Sequence, residues 1–334
     1  IKVGERQNQV AKYDLFFNTS SETPEEVGMC SVLLSDCPNT FLNSFCFGYR
    51  LYDNRKVDGQ FMSYFYRSKS GRNVMSILAQ GATRYNLSKN SFLESKIALP
   101  AITEQQSIAE ALSDIDGLIV ALDKKIAKKR LIKQGAMQQL LTGKKRLPGF
   151  SDPWVEKKLG EIGYTYSGLT GKSKDDFGQG NAKYITFLNV LANPILKENL
   201  FGSITIRENE QQNKVQFGDL FFNTSSETPE DVGTCAVLLS YHEELYLNSF
   251  CFGYRLTDDN VLGLYLAYYF RSRLGRQLMT SLAQGATRYN LSKELFNASR
   301  IILPETKDEQ IAIATILTDM DKEIDDLEAQ RDKY

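Results

Sequence analysis

The chain has 334 residues, 42% hydrophobic and 24% charged, with a net charge of −1 at pH 7. This composition is typical of globular proteins, and the length predicts two domains, each large enough for its own core. The near-neutral charge argues against a protein that coats polyanions, and the sequence shows no signal peptide and no apolar run of the roughly 18–20 residues that cross a bilayer. Five cysteines without a CxxC pair indicate no metal site and favour the reducing cytoplasm.

The same sequence occurs twice in the chain. FFNTSSETPE at 16–25 recurs at 221–230, LNSFCFGYRL at 42–51 recurs at 247–256, and AQGATRYNLSK at 79–89 recurs at 283–293. The distance between the copies is far longer than the period of a solenoid repeat. The pattern therefore indicates duplication of a whole domain together with its connector.

Each copy mixes short strands with helices. Alternating apolar residues predict strands at Phe45–Leu51 and Phe250–Leu256, and the segments 61–78 and 263–281 have helical patterns. Strands and helices in such mixed order predict an α+β fold for each domain.

A long helix follows each copy. Pro100 and Pro304 precede these helices, and Thr103 with Gln106 has the spacing of a capping box. The apolar residues recur with 4-3-4-3 spacing, which predicts a narrow seam of the kind that a coiled-coil pair buries. The seam residues are Ile108, Leu112, Ile115, Ile119, Leu122 and Ile126 in the first helix and Ile313, Leu317, Met320, Ile324 and Leu327 in the second. The alternative is that each helix lies on its own domain.

The first helix is predicted to run from Glu104 to Thr142, roughly 58 Å at 1.5 Å per residue, although Gly135 interrupts its distal part. Its second half is basic, which by default indicates a solvated face. The basic residues are Lys124, Lys125, Lys128, Lys129, Arg130 and Lys133.

These patterns divide the chain into four segments. We expect a first domain at 1–102, a central long helix at 103–148, a second domain at 149–306 and a C-terminal long helix at 307–334. Because Ile1 aligns with Ile206, the leading segment of the first domain is expected to be absent. The distal end of the second helix is expected to be absent as well, since Tyr334 aligns with Lys129.

Groups suited to catalysis are scarce. The single histidine, His242, lies in a polar stretch and is not matched in the first copy. The GKS at 171–173 would need a glycine at position 166 to form a phosphate-binding loop, and Tyr166 stands there. Asn193-Pro194 lacks the residues that complete an amino-methyltransferase motif, and Glu305-Thr306-Lys307 is too short to indicate a nuclease. The sequence predicts neither an enzyme nor a resident metal or cofactor.

Recognition groups are more plentiful, and they lie in the duplicated polar loops. Arginine can bond guanine bidentately and asparagine can do the same to adenine, while hydroxyls and lysines suit phosphate oxygens. The alternative is that these side chains cap turns and helices, which suits Asn86 and Ser88. The candidate DNA-contacting residues are Thr83, Arg84, Tyr85, Asn86, Ser88, Lys89, Thr287, Arg288, Tyr289, Asn290, Ser292, Lys293, Asn18, Thr19, Asn223, Thr224, Thr170, Lys172 and Ser173.

In these motifs the chain resembles the specificity subunit of type I restriction–modification systems. The resemblance lies in the GDLFF at 218–222, the two AQGATRYNLSK loops, the LP…EQ…IA junctions at 99–119 and 303–324, and the QQLLTG at 138–143. Trp154 and the LGEIG at 159–163 are similar to the opening of that family's second target recognition domain. The order, spacing and duplication of these motifs cover almost the whole chain.

The resemblance implies two similar target recognition domains separated by two long antiparallel coiled-coil helices. Each domain would bind one half of a split sequence in double-stranded DNA, and the helices would set the gap and dock two methyltransferase subunits. The subunit itself is not catalytic: S-adenosylmethionine for adenine methylation, and ATP and Mg for cleavage, belong to partner subunits, including motor subunits where restriction occurs.

Two similar domains about a pseudo-two-fold axis should bind similar half-sites on opposite strands, which predicts a nearly palindromic, interrupted target. The alternative function is a protein-interaction scaffold, in which duplicated domains on a coiled coil present two copies of a protein-binding surface. A steep loss of binding with salt and sequence-dependent DNA affinity would favour the first function.

Overall fold

The computed structural model describes residues 8–334. The first seven residues of the predicted first domain, including Ile1, which aligns with Ile206, lie outside the described part. Clustering of the fold divides the chain into two compact units, one ending at Leu122 and the other spanning Asp123–Lys333. The boundary between the units lies inside the long helix, and the division of the chain into four segments stays a prediction. Among residues 8–334, no helix has the length and apolarity needed to cross a membrane.

The first unit is α+β. Its elements, with the long helix that leaves it, are β1 (Leu15–Asn18), β2 (Ser20–Ser21), β3 (Cys30–Val32), β4 (Cys46–Tyr49), α1 (Gly59–Arg67), α2 (Lys69–Leu78), β5 (Ala79–Gln80), β6 (Tyr85–Leu87), α3 (Lys89–Glu94) and α4 (Ile102–Leu140). One antiparallel sheet has the order β3-β1-β4, and a smaller one has the order β2-β6-β5. Phe17, Phe47, Tyr66 and Phe92 pack ring against ring in the core of this unit.

The second unit repeats this plan and adds to it. Its elements are β7 (Trp154–Lys158), α5 (Leu159–Ile162), β8 (Gly163–Ser167), β9 (Phe177–Ile185), α6 (Phe187–Ala192), β10 (Phe201–Ile204), β11 (Leu220–Asn223), β12 (Ser225–Ser226), β13 (Cys235–Val237), β14 (Leu245–Leu247), β15 (Cys251–Leu256), α7 (Gly263–Arg271), α8 (Arg273–Leu282), β16 (Ala283–Gln284), β17 (Tyr289–Leu291), α9 (Lys293–Ala298), β18 (Arg300–Pro304) and α10 (Lys307–Arg331). The sheets β13-β11-β15-β8 and β12-β17-β16 correspond to those of the first unit, with β8 as an added edge strand. The sheets β10-β9-β14 and β18-β7 depend on β7, β9 and β10, which lie in sequence without a counterpart in the first copy. Their other strands, β14 and β18, lie in sequence that the first copy shares.

The predicted strands are confirmed, and the helical segments at 61–78 and 263–281 are confirmed as two helices each. Ser68 and Ser272 have extended backbone, end one helix and cap the next, which gives α1–α2 and α7–α8. A Cβ on Gly71 would lie 2.0 Å from the carbonyl oxygen of Phe65, so only glycine permits this close helix junction.

The long helices are confirmed, with one difference at the start of the first. α4 covers 39 residues and continues through Gly135, where a Cβ would meet open space. Thr103 lies inside the helix rather than at its cap, so the predicted capping box is wrong. Gln105 anchors the beginning instead, because its side chain bonds the backbone of Asp58, Lys56 and Pro100.

Within the second unit, the distal part of α4 runs antiparallel to α10. Lys129 pairs with Glu323, Arg130 with Glu328 and Lys133 with Asp321, so later residues of one helix meet earlier residues of the other. The expectation of a solvated basic face therefore fails for Lys129 and Lys133, which are half-buried, whereas Arg130 stays exposed. Beyond α4, Arg146 donates two hydrogen bonds of 2.7 and 2.8 Å to the buried carboxylate of Glu309.

Candidate functional site

The duplicated GATR loops are tight hairpin turns. Gly81 has φ of +139° and Gly285 has φ of +134°, and a Cβ at either position would lie 2.0 or 2.1 Å from the carbonyl oxygen of the arginine three residues later. Glycine is required for this turn, which places Arg84 and Arg288 at exposed tips.

A small sheet joins each arginine turn to the polar loop that follows the first buried strand. Ser20 pairs with Asn86 in the first unit, and Ser225 pairs with Asn290 in the second. Two motifs that lie about sixty residues apart in sequence therefore form one surface in each unit.

A serine hydroxyl holds each arginine in this surface. Arg84 donates from Nη2 to Ser20 Oγ at 3.2 Å, and Arg288 donates from Nε and Nη2 to Ser225 Oγ at 3.3 and 3.1 Å. The rest of each guanidinium is exposed and keeps donors for a ligand. The predicted residues that remain exposed beside them are Thr83, Asn86, Lys89, Thr287 and Asn290, with Tyr85, Tyr289 and Lys293 half-buried.

Several other predicted contacts are used inside the fold. Asn18 and Asn223 each donate to two backbone carbonyls and accept a backbone N–H, so their amides shape the turn rather than face a ligand. Ser88 and Ser292 cap α3 and α9, as the alternative interpretation expected. The hydroxyl of Thr19 or Thr224 donates to a carbonyl across the turn but can still accept.

The loop 168–173 has a structural role for two of its three candidates. The ammonium of Lys172 is buried, donates to the carbonyl of Thr205 at 2.7 Å and pairs with Glu210. Ser173 forms a capping box with Asp176. Lys172 is therefore a poor phosphate contact, which corrects that expectation, while the side chain of Thr170 stays exposed.

Two arginines that the sequence analysis missed brace the site. Arg72 bonds the carbonyls of Glu25, Val27 and Gly28, and Arg276 does the same for the corresponding loop of the second unit. Burial lowers the pKa of both guanidinium groups without neutralising them. The signal was present in the sequence, since a Gly-Arg pair recurs at 71–72 and 275–276.

A cavity of about 580 Å³ opens beside Arg288 in the second unit. Phe187 and Leu191 form its apolar wall, and the Asn223–Ser226 turn forms another side. Glu227 and Asp231 also line it, so the guanidinium is the cationic group within a mixed lining.

The histidine and two of the cysteines have surroundings that the fold defines. His242 bonds Ser240 at 2.8 Å and packs edge-on against Phe201. Burial raises the pKa of Cys30 and of Cys251 to about 12, which keeps both as thiols. Within residues 8–334, no cluster of three histidine, cysteine or acidic side chains could hold a metal ion.

The predicted helix seam divides into two parts. In the second unit, Ile313, Leu317 and Met320 belong to the same apolar cluster as Ala136, Met137 and Leu140 of α4, and Ile126, Ile324 and Leu327 are buried. Ile108, Leu112 and Ile115 are 36–37% exposed, Ile119 is half-buried and Leu122 is buried. The partners of the second helix at 136–140 were therefore missed, and pairing by the first-helix residues at 108–119 stays a prediction.

Both copies of the repeat match a known protein family. The model of the type I restriction modification DNA specificity domain matches residues 7–130 and again 151–333, and the chain belongs to this family. The two matches cover the two copies found in the sequence.

Relatives agree with this assignment. The chain is 27% identical over 265 residues to the type I restriction enzyme EcoKI specificity subunit of Escherichia coli, covering 75% of this chain and 56% of that protein. It is 25% identical over 221 residues to a Methanocaldococcus jannaschii protein assigned as the MjaX specificity subunit, covering 58% and 50%. The chain thus spans about half the length of these curated relatives.

A solved structure has the same fold. The type I restriction–modification S subunit from M. genitalium superposes with a TM-score of 0.59 at 16% identity, covering 98% of this chain and 81% of that one.

Proposed function

We propose that the chain acts as the non-catalytic specificity subunit of a type I restriction–modification complex, and that each copy of the repeat binds one half of a bipartite DNA target. The observation that carries the proposal is the recurrence, in both units, of an exposed arginine on a glycine turn braced by a serine. Arginine held in this way suits bidentate recognition of guanine, and Asn86 or Asn290 beside it suits adenine.

We propose further that the two long helices set the gap between the half-sites and dock two methyltransferase subunits. The antiparallel ion pairs between α4 and α10 support a fixed register for such a spacer. Because the two copies are nearly identical in the turn sequences, their half-sites should be similar and lie on opposite strands. The target would then be interrupted and close to palindromic.

The chemistry would belong to the partners. A methyltransferase subunit would supply S-adenosylmethionine and transfer its methyl group to adenine N6, and motor subunits would use ATP and Mg for cleavage. A net charge of −1 fits this division, because partner subunits would contribute many of the contacts to the phosphate backbone.

Co-expression with candidate methyltransferase subunits, followed by sequencing of methylated bases across the genome, tests the proposal. We expect one bipartite adenine-methylated motif that disappears when this chain is omitted. DNA affinity of the assembled complex should fall steeply with salt and depend on the motif. A complex that binds other proteins but shows neither salt-dependent nor sequence-dependent DNA affinity would favour the scaffold function instead.

A further inference from the structure

Both units expose a phenylalanine at the same place in the repeat. Phe45 is 70% exposed and Phe250 is 58% exposed, whereas the next phenylalanine of the same motif, Phe47 or Phe252, is buried. A single exposed apolar side chain is ordinary on a protein surface. An exposed phenylalanine at the equivalent position of both units indicates a role that the two units share.

The backbone of each exposed phenylalanine is held at both of its polar groups. Asn43 Oδ1 accepts the Phe45 N–H at 2.9 Å, and the Phe45 carbonyl accepts from the N–H and the hydroxyl of Thr19, each at 2.9 Å. This fixes the direction in which the ring leaves the chain. A ring with only two rotatable bonds on a fixed backbone loses little entropy when it binds.

The second unit repeats this arrangement. Asn248 Oδ1 accepts the Phe250 N–H at 2.8 Å, and the Phe250 carbonyl accepts from the Thr224 N–H at 2.9 Å and its hydroxyl at 2.8 Å. Phe187 packs edge-on to the Phe250 ring at 6.3 Å and widens the apolar surface there.

The held phenylalanine lies beside the arginine turn. Thr19 is followed by Ser20, which accepts from Arg84, and Thr224 is followed by Ser225, which accepts from Arg288. In each unit, two consecutive residues therefore hold the phenylalanine backbone and the guanidinium. The edge of a base pair offers both hydrogen-bond acceptors and apolar surface, such as the thymine methyl group.

We propose that Phe45 and Phe250 are base-contacting residues, each of which lays its ring against the apolar surface of a nucleobase in its half-site. The inference rests on the proposed function. Two contacts have this chemistry: packing on a thymine methyl group, and partial insertion between neighbouring bases. A protein partner at the same ring would show no dependence on the bases.

The test uses the assembled methyltransferase complex and duplexes that carry its mapped target. Phe250→Ala and Phe45→Ala are compared with wild type, with Tyr241→Ala and Tyr52→Ala as controls, because Tyr241 is 83% exposed and Tyr52 is fully exposed. We expect each phenylalanine variant to lose about 10- to 100-fold in affinity for the target, the range of aromatic–base contacts, and the controls to lose little. Phe250→Trp should restore most of the affinity.

Modified duplexes separate the two contacts. If the ring packs on thymine, replacing one thymine by uracil should weaken wild type and leave the alanine variant unchanged. If the ring inserts, the fluorescence of 2-aminopurine placed at one base step should increase when the wild-type complex binds, because the base is unstacked. It should not increase with the alanine variant. Unchanged affinity and unchanged responses in both phenylalanine variants would overturn the inference while leaving the proposed function intact. A wild-type complex without sequence-specific binding would overturn both.

Discussion

Arg84 and Arg288 are the cationic side chains that each unit presents at the tip of a glycine turn. Each is oriented by one serine hydroxyl, and most of its donors remain exposed. Neither arginine makes an ion pair within residues 8–334, so its side chain contributes little to the stability of the fold. Its geometry suits a ligand that accepts hydrogen bonds from outside.

Substituting Arg288→Ala should therefore weaken binding by about 1–3 kcal/mol and relax specificity at one position of one half-site. The change should leave folding intact, because within residues 8–334 the guanidinium bonds only the Ser225 hydroxyl. Sequencing of methylated sites in the co-expression system measures the relaxation.

Arg84→Ala is the matched control for this prediction, because it should relax the other half-site and not the same one. An identical methylation motif in wild type and in both variants would remove the two arginines from base recognition.

The pair of the buried Lys172 ammonium and the half-buried Glu210 carboxylate gives a prediction about pH. Hydrogen bonds from Lys172 and then from Gln212 hold the pKa of Glu210 below its ordinary value of 4.5. A carboxyl group with a depressed pKa in the folded state contributes stability above its ordinary pKa and loses that contribution as pH falls through the folded-state value. The wild-type chain should consequently lose part of its stability below about pH 4.5.

Glu210→Gln should destabilise the chain by about 1–2 kcal/mol at pH 7, and the difference from wild type should shrink as the pH falls. Thermal unfolding followed from pH 3 to pH 7 measures both effects. A constant difference across this range would show that the ionised carboxylate is not the source of the stability.

At the scale of elements, the helix pair in the second unit is fixed by apolar burial and by acid–base register together. Leu317 is fully buried in a cluster with Leu140, while Lys129, Arg130 and Lys133 face acids of α10. Exposed ion pairs of this kind contribute about 0–1 kcal/mol each, so the apolar contacts carry most of the stability and the charges select the register.

Leu317→Ala should cost about 2–5 kcal/mol, because it leaves a cavity in this cluster. Ile115 belongs to the same predicted seam but is 37% exposed, so Ile115→Ala should cost about 1 kcal/mol or less. Chemical denaturation of the two variants measures the difference. Equal losses would mean that the α4 seam at Ile115 is covered as fully as the α10 seam.

The sequence predicted the long helices well because their 3.5-residue spacing extends over many turns. It did not predict the junctions at Ser68 and Ser272, since the apolar pattern continues through a break that depends on a capping hydroxyl and on Gly71 or Gly275 three residues later. The register between α4 and α10 could not be predicted either. Two apolar seams with the same spacing can pair in several registers, and the ion pairs that select one lie outside the apolar pattern.

The residues of the candidate site could be predicted only in part from the sequence. Repetition marked the GATR and NTSS motifs, but repetition preserves structural and functional residues alike. Asn18 and Ser88 therefore ranked with Arg84, although the fold uses the first as a turn amide and the second as a helix cap. Their separation required the hydrogen-bond partners, which depend on contacts between distant segments.

At the scale of the whole molecule, the chain carries two copies of one surface and one continuous helix that begins on the first unit and ends in the second. Gln105 anchors the beginning of α4 to the first unit, and the ion pairs with α10 begin only beyond Leu122. Asp116 is held there as well, since it accepts a hydrogen bond from the Tyr64 hydroxyl at 2.7 Å. The segment of α4 between Asp116 and Leu122 can therefore be lengthened without breaking these polar contacts at either side.

Inserting one heptad after Gly117 should lengthen α4 by about 10 Å, because each helical residue adds 1.5 Å, and should widen the gap between the half-sites by about 3 base pairs. Seven residues are close to two full turns, so the faces on either side of the insertion stay nearly aligned. The methylated motif of the insertion variant measures the gap directly. Inserting two residues is the control, since it should rotate the two sides by roughly 160° against each other and reduce methylation instead of only shifting the gap. A heptad variant that methylates the original motif with its original gap would contradict the role of α4 as the spacer, because the half-sites would then be positioned by something other than the length of this helix.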